Sequence, residues 1–331
     1  MSRRAGWLAR LKPDVYILLI LGMVVLASLL PARGATAPAV DGVTKLAIGL
    51  TFFLNGARLP REAIIAALVH WRLHLVILGV TFAAFPIAGV SAASLPGWIV
   101  PAALAPGLIF LACLPSTVQS AISFTTIARG NIASAVASAS ASNLLAIVAT
   151  PLLVAFLLHT EGGGFSLDQA QRIALQLLAP FIAGHLARPL IGAFVARHNK
   201  RLGWIDRGAI LLVVYGAFSD AVIGGLWSQV SAFDLGRLAL ICLMLLAFGF
   251  ALPAWVGRAM RFDKGDRIAL LFAGSNKGLV FGVPIAGVLF PPETVGFMLL
   301  PVMIYHQLQL IVCAGIAQRY AREADRSFEA R

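Results

Sequence analysis

The sequence predicts an all-α membrane protein that crosses the bilayer many times. Of its 331 residues, 60% are hydrophobic and 12% are charged, whereas about a quarter of an average soluble domain is charged. A soluble protein of this length could not bury so much apolar surface. The composition excludes a soluble enzyme, a disordered chain and a nucleic-acid-binding protein, and it makes the lipid bilayer the expected surrounding.

Apolar stretches separated by polar, Gly or Pro residues give the number of spans, since a transmembrane helix needs about 20 apolar residues. The basic residues before position 15 and the apolar run after them resemble a secretory signal. Nine further runs favour an uncleaved first span instead. We place ten spans at 15–30, 43–55, 73–90, 98–128 (broken), 131–158, 170–194, 208–228, 236–256, 267–290 (broken) and 294–318.

The distribution of positive charge supports this count. The net charge is +12, and with a cytoplasmic N-terminus 21 of the 26 Lys and Arg residues fall in inside segments and four in outside segments. Cytoplasmic loops of membrane proteins carry such an excess. The bias predicts ten spans with the N- and C-termini both in the cytoplasm.

Ten spans divide into two sets of five, and an odd number per set gives the sets opposite orientations. We therefore predict a first inverted repeat over 1–160, a second over 165–322 and a cytoplasmic tail over 323–331. Inverted repeats are a common plan of secondary transporters. The fourth span of each set is interrupted by polar, Pro or Gly residues, near 115 and near 275.

Interrupted spans at matching places indicate a binding site at mid-membrane, because irregular backbone is tolerated there only when it is buried or lines a cavity. The candidate ion- or substrate-binding residues at the two breaks are Ser116, Thr117, Gln119, Ser120, Ser275, Asn276 and Lys277. Other polar residues at membrane depth add Thr81, Asn143, His306 and Gln307. A membrane His also commonly serves as a helix–helix hydrogen-bonding group.

Lys277 is the most informative candidate, because an ammonium at the bilayer centre costs about 2.5–3.5 kcal/mol on insertion scales. It lies too far from both ends of its span to reach the interface easily. Carbonyl ends of helices attract cations and N–H ends attract anions. Lys277 could therefore take a cation's place among carbonyls, or it could hold an anionic substrate.

Asp220 is the one acidic residue within a predicted span. It is either a wetted or neutral carboxyl near the outer end of the seventh span, or a proton or cation site that pairs with Lys277 if the two meet.

Several short stretches in this order resemble the bile acid:sodium symporter superfamily, in the branch of solute carrier family 10 member 7 and its bacterial relatives. They cover nearly the whole chain. The stretches are Val69-His-Trp-Arg-Leu-His74-Leu, Phe85-Pro86, Cys113-Leu-Pro115, Ala128-Arg-Gly-Asn131, Ala149-Thr-Pro151-Leu-Leu, Asn276-Lys277-Gly-Leu, Gly282-Val-Pro284 and Ile304-Tyr-His306.

The resemblance implies a panel of helices 1, 2, 6 and 7 and a core of helices 3–5 and 8–10, in which broken helices 4 and 9 cross. It also implies two sodium ions near the crossing, a small organic anion bound between panel and core, and residence in the bacterial cytoplasmic (inner) membrane. Leu271 and Thr81 stand where the bile-acid-type pattern has Glu and Gln. Our hypothesis is that the Lys277 ammonium stands in for one bound cation, and that it could also carry a coupling proton.

The sequence thus predicts a secondary active transporter of a small organic anion, coupled to sodium or protons, rather than an enzyme. No cofactor and no metal other than sodium is expected. The alternatives are a cation/proton antiporter, which would require an acidic residue in the crossing, and a membrane regulator or scaffold without transport.

Overall fold

The structure is a computed structural model that describes residues 15–34, 36–58, 70–158 and 167–329. The basic residues Arg3, Arg4, Arg10 and Lys12, the predicted boundary between the repeats at 160–165 and the last two residues of the predicted tail lie outside the described residues. Within them every regular element is a helix, which confirms the all-α class.

The helices are numbered in chain order, and a broken helix has two halves, a and b. A one-turn helix, Leu226–Gln229, precedes α8. The helices are α1 Val15–Leu29, α2 Thr36–Arg58, α3 Trp71–Ala93, α4a Ala105–Cys113, α4b Val118–Ile127, α5 Ile132–Leu158, α6 Leu167–Arg197, α7 Asn199–Ile223, α8 Ala232–Ala259, α9a Lys264–Ser275, α9b Leu279–Leu289 and α10 Pro292–Glu329.

Eight helices of the described residues are long and apolar enough to cross a membrane, or nine if the bent pair α4a and α4b is one span. The described part of α1 is apolar but shorter. The multi-span membrane protein is therefore confirmed, while the count of ten and the inverted repeats stay predictions.

Several helices begin or end away from the predicted span ends, most of them because the helix continues beyond the apolar stretch. The second helix begins at Thr36 and not at 43, since Pro38 is tolerated in a first turn. The seventh begins at Asn199 and not at 208. The tenth runs to Glu329 rather than 318. The fourth begins late, at Ala105 rather than 98, after the turns that follow Pro96 and Pro101.

The helices pack in two groups. We call α1, α2, α6 and α7 the panel, because α6 lies along α2 and α7 packs on α1 and α2. We call the others the core, where α9a packs on α3, α4b, α5 and α8, and α10 packs on both halves of α4. The panel meets the core chiefly where α7 contacts α10 and where α6 contacts α5.

Two glycines let α2 and α6 touch backbone to backbone. A Cβ atom on Gly56 would lie 2.0 Å from the carbonyl oxygen of Phe181, and one on Gly184 would lie 1.9 Å from that of Phe53. Small residues permit such close approach between membrane helices. The position of α2 in the panel therefore depends on these two glycines.

Candidate functional site

The two broken helices meet in the core, and the side chain of Lys277 bridges their breaks. α4a and α4b are bent by 65°, and the chain between α9a and α9b is extended at Asn276 and Gly278. Only 1% of Lys277 is exposed. The crossing is therefore a buried site with an amine at its centre.

The Lys277 amine is held by three backbone carbonyls. Its Nζ donates to the oxygens of Thr81 at 3.1 Å, Ala112 at 2.8 Å and Leu114 at 2.9 Å. It also lies 4.2 Å from the centroid of the Phe85 ring, a cation–π contact. Three acceptors match the three donors that a protonated lysine amine offers, so this side chain can satisfy all three carbonyls.

The Thr81 carbonyl is free because of a π-helical turn, Val80–Ala84, in α3. In this turn the N–H of Phe85 bonds to the carbonyl of Val80. The same register would pair the Thr81 carbonyl with the N–H of residue 86, but Pro86 has none. The freed oxygen accepts from Lys277 instead.

The other two carbonyls are free because α4a ends before Pro115. In a continued helix the N–H of Ser116 would bond to Ala112, but it donates to the Ser142 hydroxyl at 3.1 Å. Leu114 is already extended. The negative end of α4a, with its unpaired carbonyls, is thereby directed at the ammonium.

Helix α10 satisfies the backbone of the other break. Gln309 accepts from the Lys277 N–H at 2.8 Å and donates to its carbonyl at 3.1 Å. His306 lies 2.9 Å from the Gln309 amide and 3.5 Å from the Lys277 carbonyl. The Tyr305 hydroxyl donates to the Ser275 carbonyl at 2.7 Å. One face of α10 therefore fixes the backbone on both sides of Asn276.

Side chains of the two breaks also bond to each other. Thr117 donates to the carbonyl of Lys277 at 2.7 Å. The Asn276 amide donates to the Ser120 hydroxyl at 3.1 Å, and its oxygen accepts from the Cys313 thiol at 3.1 Å. These bonds lock α4 and α9 into one unit.

A cavity of about 400 Å³ opens beside this unit, between the panel and the core. The core side supplies Ser116, Thr117, Gln119 and Asn143, and the first residues of α9b. Neither α4b nor α9b has a side-chain cap at its N-terminal end. Their first backbone N–H groups therefore give this wall a positive partial charge.

The panel side of the cavity carries a half-satisfied ion pair. Arg58, at the end of α2, bonds through one Nη atom to Asp206 of α7. Among the described residues, its buried Nε and other Nη atoms have no hydrogen-bond partner, and neither does the second Asp206 oxygen. Ser116 and Asn143, on the opposite wall, each have an unpartnered oxygen as well.

The amino-acid sequence of this chain matches a known group of proteins. The profile of the SBF-like CPA transporter family matches residues 14–322. The chain belongs to this family. The resemblance to bile acid:sodium symporters is thereby confirmed.

Relatives of known name extend over almost the whole chain. "Uncharacterized protein PA2026" of Pseudomonas aeruginosa is 49% identical, over 96% of this chain and 95% of its own. "Putative symporter YfeH" of Escherichia coli K12 is 47% identical, over 94% of both chains. "Sodium/bile acid cotransporter 7" of Danio rerio is 24% identical, over 93% of both chains. These names indicate a transporter of the family and not an enzyme.

Most of the predicted site residues lie in two places, the crossing and the cavity. The crossing brings together Thr81, Thr117, Ser120, Ser275, Asn276, Lys277 and His306. The cavity collects Ser116, Gln119 and Asn143 with Thr117. Gln307 belongs to neither group, and its buried amide nitrogen has no partner among the described residues.

Asp220 and Lys277 lie in different places, so the open alternative in which the two pair is not realised. Asp220 lines a separate pocket of about 60 Å³ with Asp41 and Thr44, near the start of α2. Asp41 and Arg58 lie on the same helix, α2, seventeen residues apart, which is about 25 Å along the helix axis. The pocket of Asp220 and the large cavity lined by Arg58 are therefore at opposite ends of α2. The Lys277 amine is held by backbone carbonyls instead of a carboxylate.

Sequence reasoning missed several residues of the site, of which Gln309, Phe85 and Arg58 matter most. Gln309 follows Tyr305 by four positions, so both lie on one helix face, and that spacing was the available signal. Phe85 gave no polar signal. Arg58 was counted only as a cytoplasmic charge, because it stands at a helix end. Among the described residues no cluster of His, Cys, Asp or Glu could hold a metal ion.

Proposed function

We propose that the chain is a secondary active transporter of small organic anions, and that it works by alternating access. The panel would move against the core, and the cavity between them would hold the substrate. Its location between two helix groups supports this, because a ligand there touches both moving parts. We further propose ten spans in two inverted repeats, 1–160 and 165–322, in the inner membrane, with both termini and the 323–331 tail in the cytoplasm.

Arg58 carries the proposal that the substrate is an anion. Two of its nitrogens are buried beside the cavity and have no partner among the residues that the structure describes, and an unpaired buried donor costs about 1–3 kcal/mol. A carboxylate or a similar group would accept from both nitrogens in a bidentate geometry. Across the cavity, the uncapped ends of α4b and α9b favour the same charge.

The unpartnered oxygens of Ser116 and Asn143 define the rest of the substrate. They suit a molecule with a hydroxyl or amide group some distance from its acid group. Phe181 and Phe281 also line the cavity, and they would cover the apolar part of such a molecule. A hydroxylated monocarboxylate fits all three requirements.

We propose that Lys277 takes the place of one coupling cation. The ammonium occupies the carbonyl cage of α3 and α4a, which a bound sodium ion would otherwise have to fill. Leu271 and Thr81 replace the side chains that bile-acid-type members use for sodium. Sodium is therefore the less favoured coupling ion, and a proton on Lys277 is the favoured one.

Proton release would change the crossing in a defined way. A neutral amine has two N–H donors and the ammonium has three, so one of the three carbonyls would lose its partner. The cage joins α3, α4a and α9, and this loss would loosen the three helices relative to one another. The proton would thus be linked to the motion that exposes the cavity.

A thermal-shift screen tests the substrate class first. The purified protein is heated with a panel of hydroxylated monocarboxylates, the corresponding amides and taurocholate, with and without sodium and from pH 6 to pH 9. Ligands that bind the folded state raise its apparent stability. We expect stabilisation by acids but not by amides, and no requirement for sodium.

Uptake of the best labelled acid into proteoliposomes then tests transport. A proton gradient, acid outside, is expected to drive accumulation without sodium. Stabilisation without uptake would favour the regulator or scaffold alternative. Sodium efflux driven by the proton gradient, with no organic acid present, would favour the antiporter. Among the described residues, however, no acidic side chain contacts Lys277.

A further inference from the structure

A second cavity, unrelated to the crossing, lies on the outer side of the core. It is a groove of about 780 Å³ between α8, α9a and α10, and none of its lining residues belongs to the panel. This volume lies in the range of ligand-binding pockets. The groove therefore opens away from the substrate cavity, toward the surrounding lipid.

The groove has an apolar length and a basic mouth. Ala247, Phe250, Ala251 and Leu271 line the inner part, and four basic residues surround the end. Along α8 it runs from Ala247 to Arg258. Eleven residues of helix rise about 16 Å, which is about half the thickness of a bilayer's hydrocarbon core. The groove thus spans one leaflet.

The mouth has an excess of positive charge. Arg258, Lys264, Arg267 and Arg319 line it, and Glu323 is the one acidic residue among the lining residues. Arg319 bonds to Glu323 at 3.1 Å, while the other three make no ion pair in the described ranges. Three cations at one end of an apolar groove are therefore uncompensated.

Neighbouring side chains place this mouth at the membrane surface. Trp255, three residues before Arg258 on the same helix, is 67% exposed, and Tyr320 lines the groove. Trp and Tyr are enriched where the bilayer meets water. Met244 and Ile311, farther into the membrane, are 50% and 59% exposed, as lipid-facing residues are. The basic residues therefore lie at headgroup depth.

We infer that this groove binds one anionic phospholipid, whose phosphate lies among Arg258, Lys264 and Arg267 and whose acyl chain lies along α8. Basic pockets between membrane helices on the cytoplasmic side are suited to acidic headgroups. A soluble anion would use the mouth but leave the apolar length uncovered. The site does not depend on the proposed transport activity.

Native mass spectrometry of the purified full chain tests the inference. The probe is dioleoyl-phosphatidylglycerol, compared with dioleoyl-phosphatidylcholine and with glycerol phosphate. The groove variant carries Arg258→Gln, Lys264→Gln and Arg267→Gln together. The matched control carries Arg197→Gln, Lys200→Gln and Arg201→Gln, which remove three charges at the turn between α6 and α7.

We expect the wild-type protein and the control to retain one phosphatidylglycerol, and the groove variant to bind it on the order of a hundredfold more weakly, at about fivefold for each charge removed. Ala251→Trp fills the groove and keeps every charge, so it should weaken binding even if the triple variant folds poorly. Equal retention by the groove variant and the control, equal retention of phosphatidylcholine, or equal occupancy by glycerol phosphate would overturn the inference.

Discussion

Lys277 and Arg58 are both cations at or near membrane depth, and their surroundings differ in one respect. The Lys277 amine has three carbonyl partners and an aromatic face. Arg58 uses one nitrogen on Asp206 and leaves two buried nitrogens without partners in the described structure. One cation is fully satisfied by the protein, and the other is not.

This difference assigns the two residues to different tasks. A buried charge whose donors are all used has nothing left to offer a ligand, and its removal exposes the carbonyls that it held. A charge with unused donors beside a cavity gains most from a ligand that supplies the missing acceptors. In the proposed function, Lys277 would therefore hold the helices together and respond to protons, whereas Arg58 would bind the substrate.

Lys277→Met should have the largest effect. It keeps the length of the side chain but removes all three donors, so the carbonyls of Thr81, Ala112 and Leu114 lose their partner. We expect uptake of the best acid to fall more than tenfold and the melting temperature to drop by several degrees. Lys45→Met, which removes a lysine from an exposed ion pair on α2, is the control and should do neither; equal behaviour of the two variants would contradict the task assigned to Lys277.

Gly56→Ala should have the next largest effect, because it moves the helix that carries Arg58 without altering either cation. The new Cβ would meet the Phe181 carbonyl at 2.0 Å, and separating the helices costs about 1–3 kcal/mol. Thermal unfolding should report this loss. Gly49→Ala, on the same helix with open space around it, should leave stability unchanged or slightly higher, and an equal loss there would disprove the close contact.

Arg58→Gln and Asp206→Asn should change substrate binding in opposite directions. Removing the guanidinium should weaken binding of the best acid about tenfold, or 1.4 kcal/mol. Removing the carboxylate should strengthen it a few-fold, because a competing acceptor and a like charge disappear. Isothermal titration measures both, and a similar loss in both variants would mean that the ion pair only stabilises the panel.

Gln309→Leu should have the smallest effect of these test substitutions. Its control is Gln307→Leu, two positions away. Gln309 bonds to the backbone N–H and carbonyl of Lys277, so its removal should cost about 1–2 kcal/mol of stability. The buried amide nitrogen of Gln307 has no partner in the described part of the chain, and leucine there should be neutral or stabilising. If thermal unfolding ranks the two the other way round, the role of α10 at the break is misassigned.

The sequence predicted what depends on local pattern. Apolar stretches predicted the helical class, and Pro115 and Gly278 marked the breaks. Proline removes a helix hydrogen bond and glycine weakens a helix at their own positions, whatever the rest of the chain does. Lys277 was identified because a charge in an apolar run is costly wherever the chain folds.

Contacts between distant segments could not be predicted in the same way. Asp220 was the only carboxylate within a predicted span, but its helix faces another pocket. The partners of Lys277 are backbone carbonyls. Every residue has one, so the identity of these partners could not be predicted from residue types. The π-helical turn at Val80–Ala84 could not be predicted either, because it is defined by the bond from the Phe85 N–H to the Val80 carbonyl.

Uptake of the best acid into proteoliposomes, with the sodium and proton gradients set independently, tests the tethered-cation account most directly. The account predicts that wild-type protein accumulates the acid with a proton gradient alone, and that Lys277→Met loses this response. Accumulation that requires sodium in the wild-type protein and persists unchanged in Lys277→Met would contradict it.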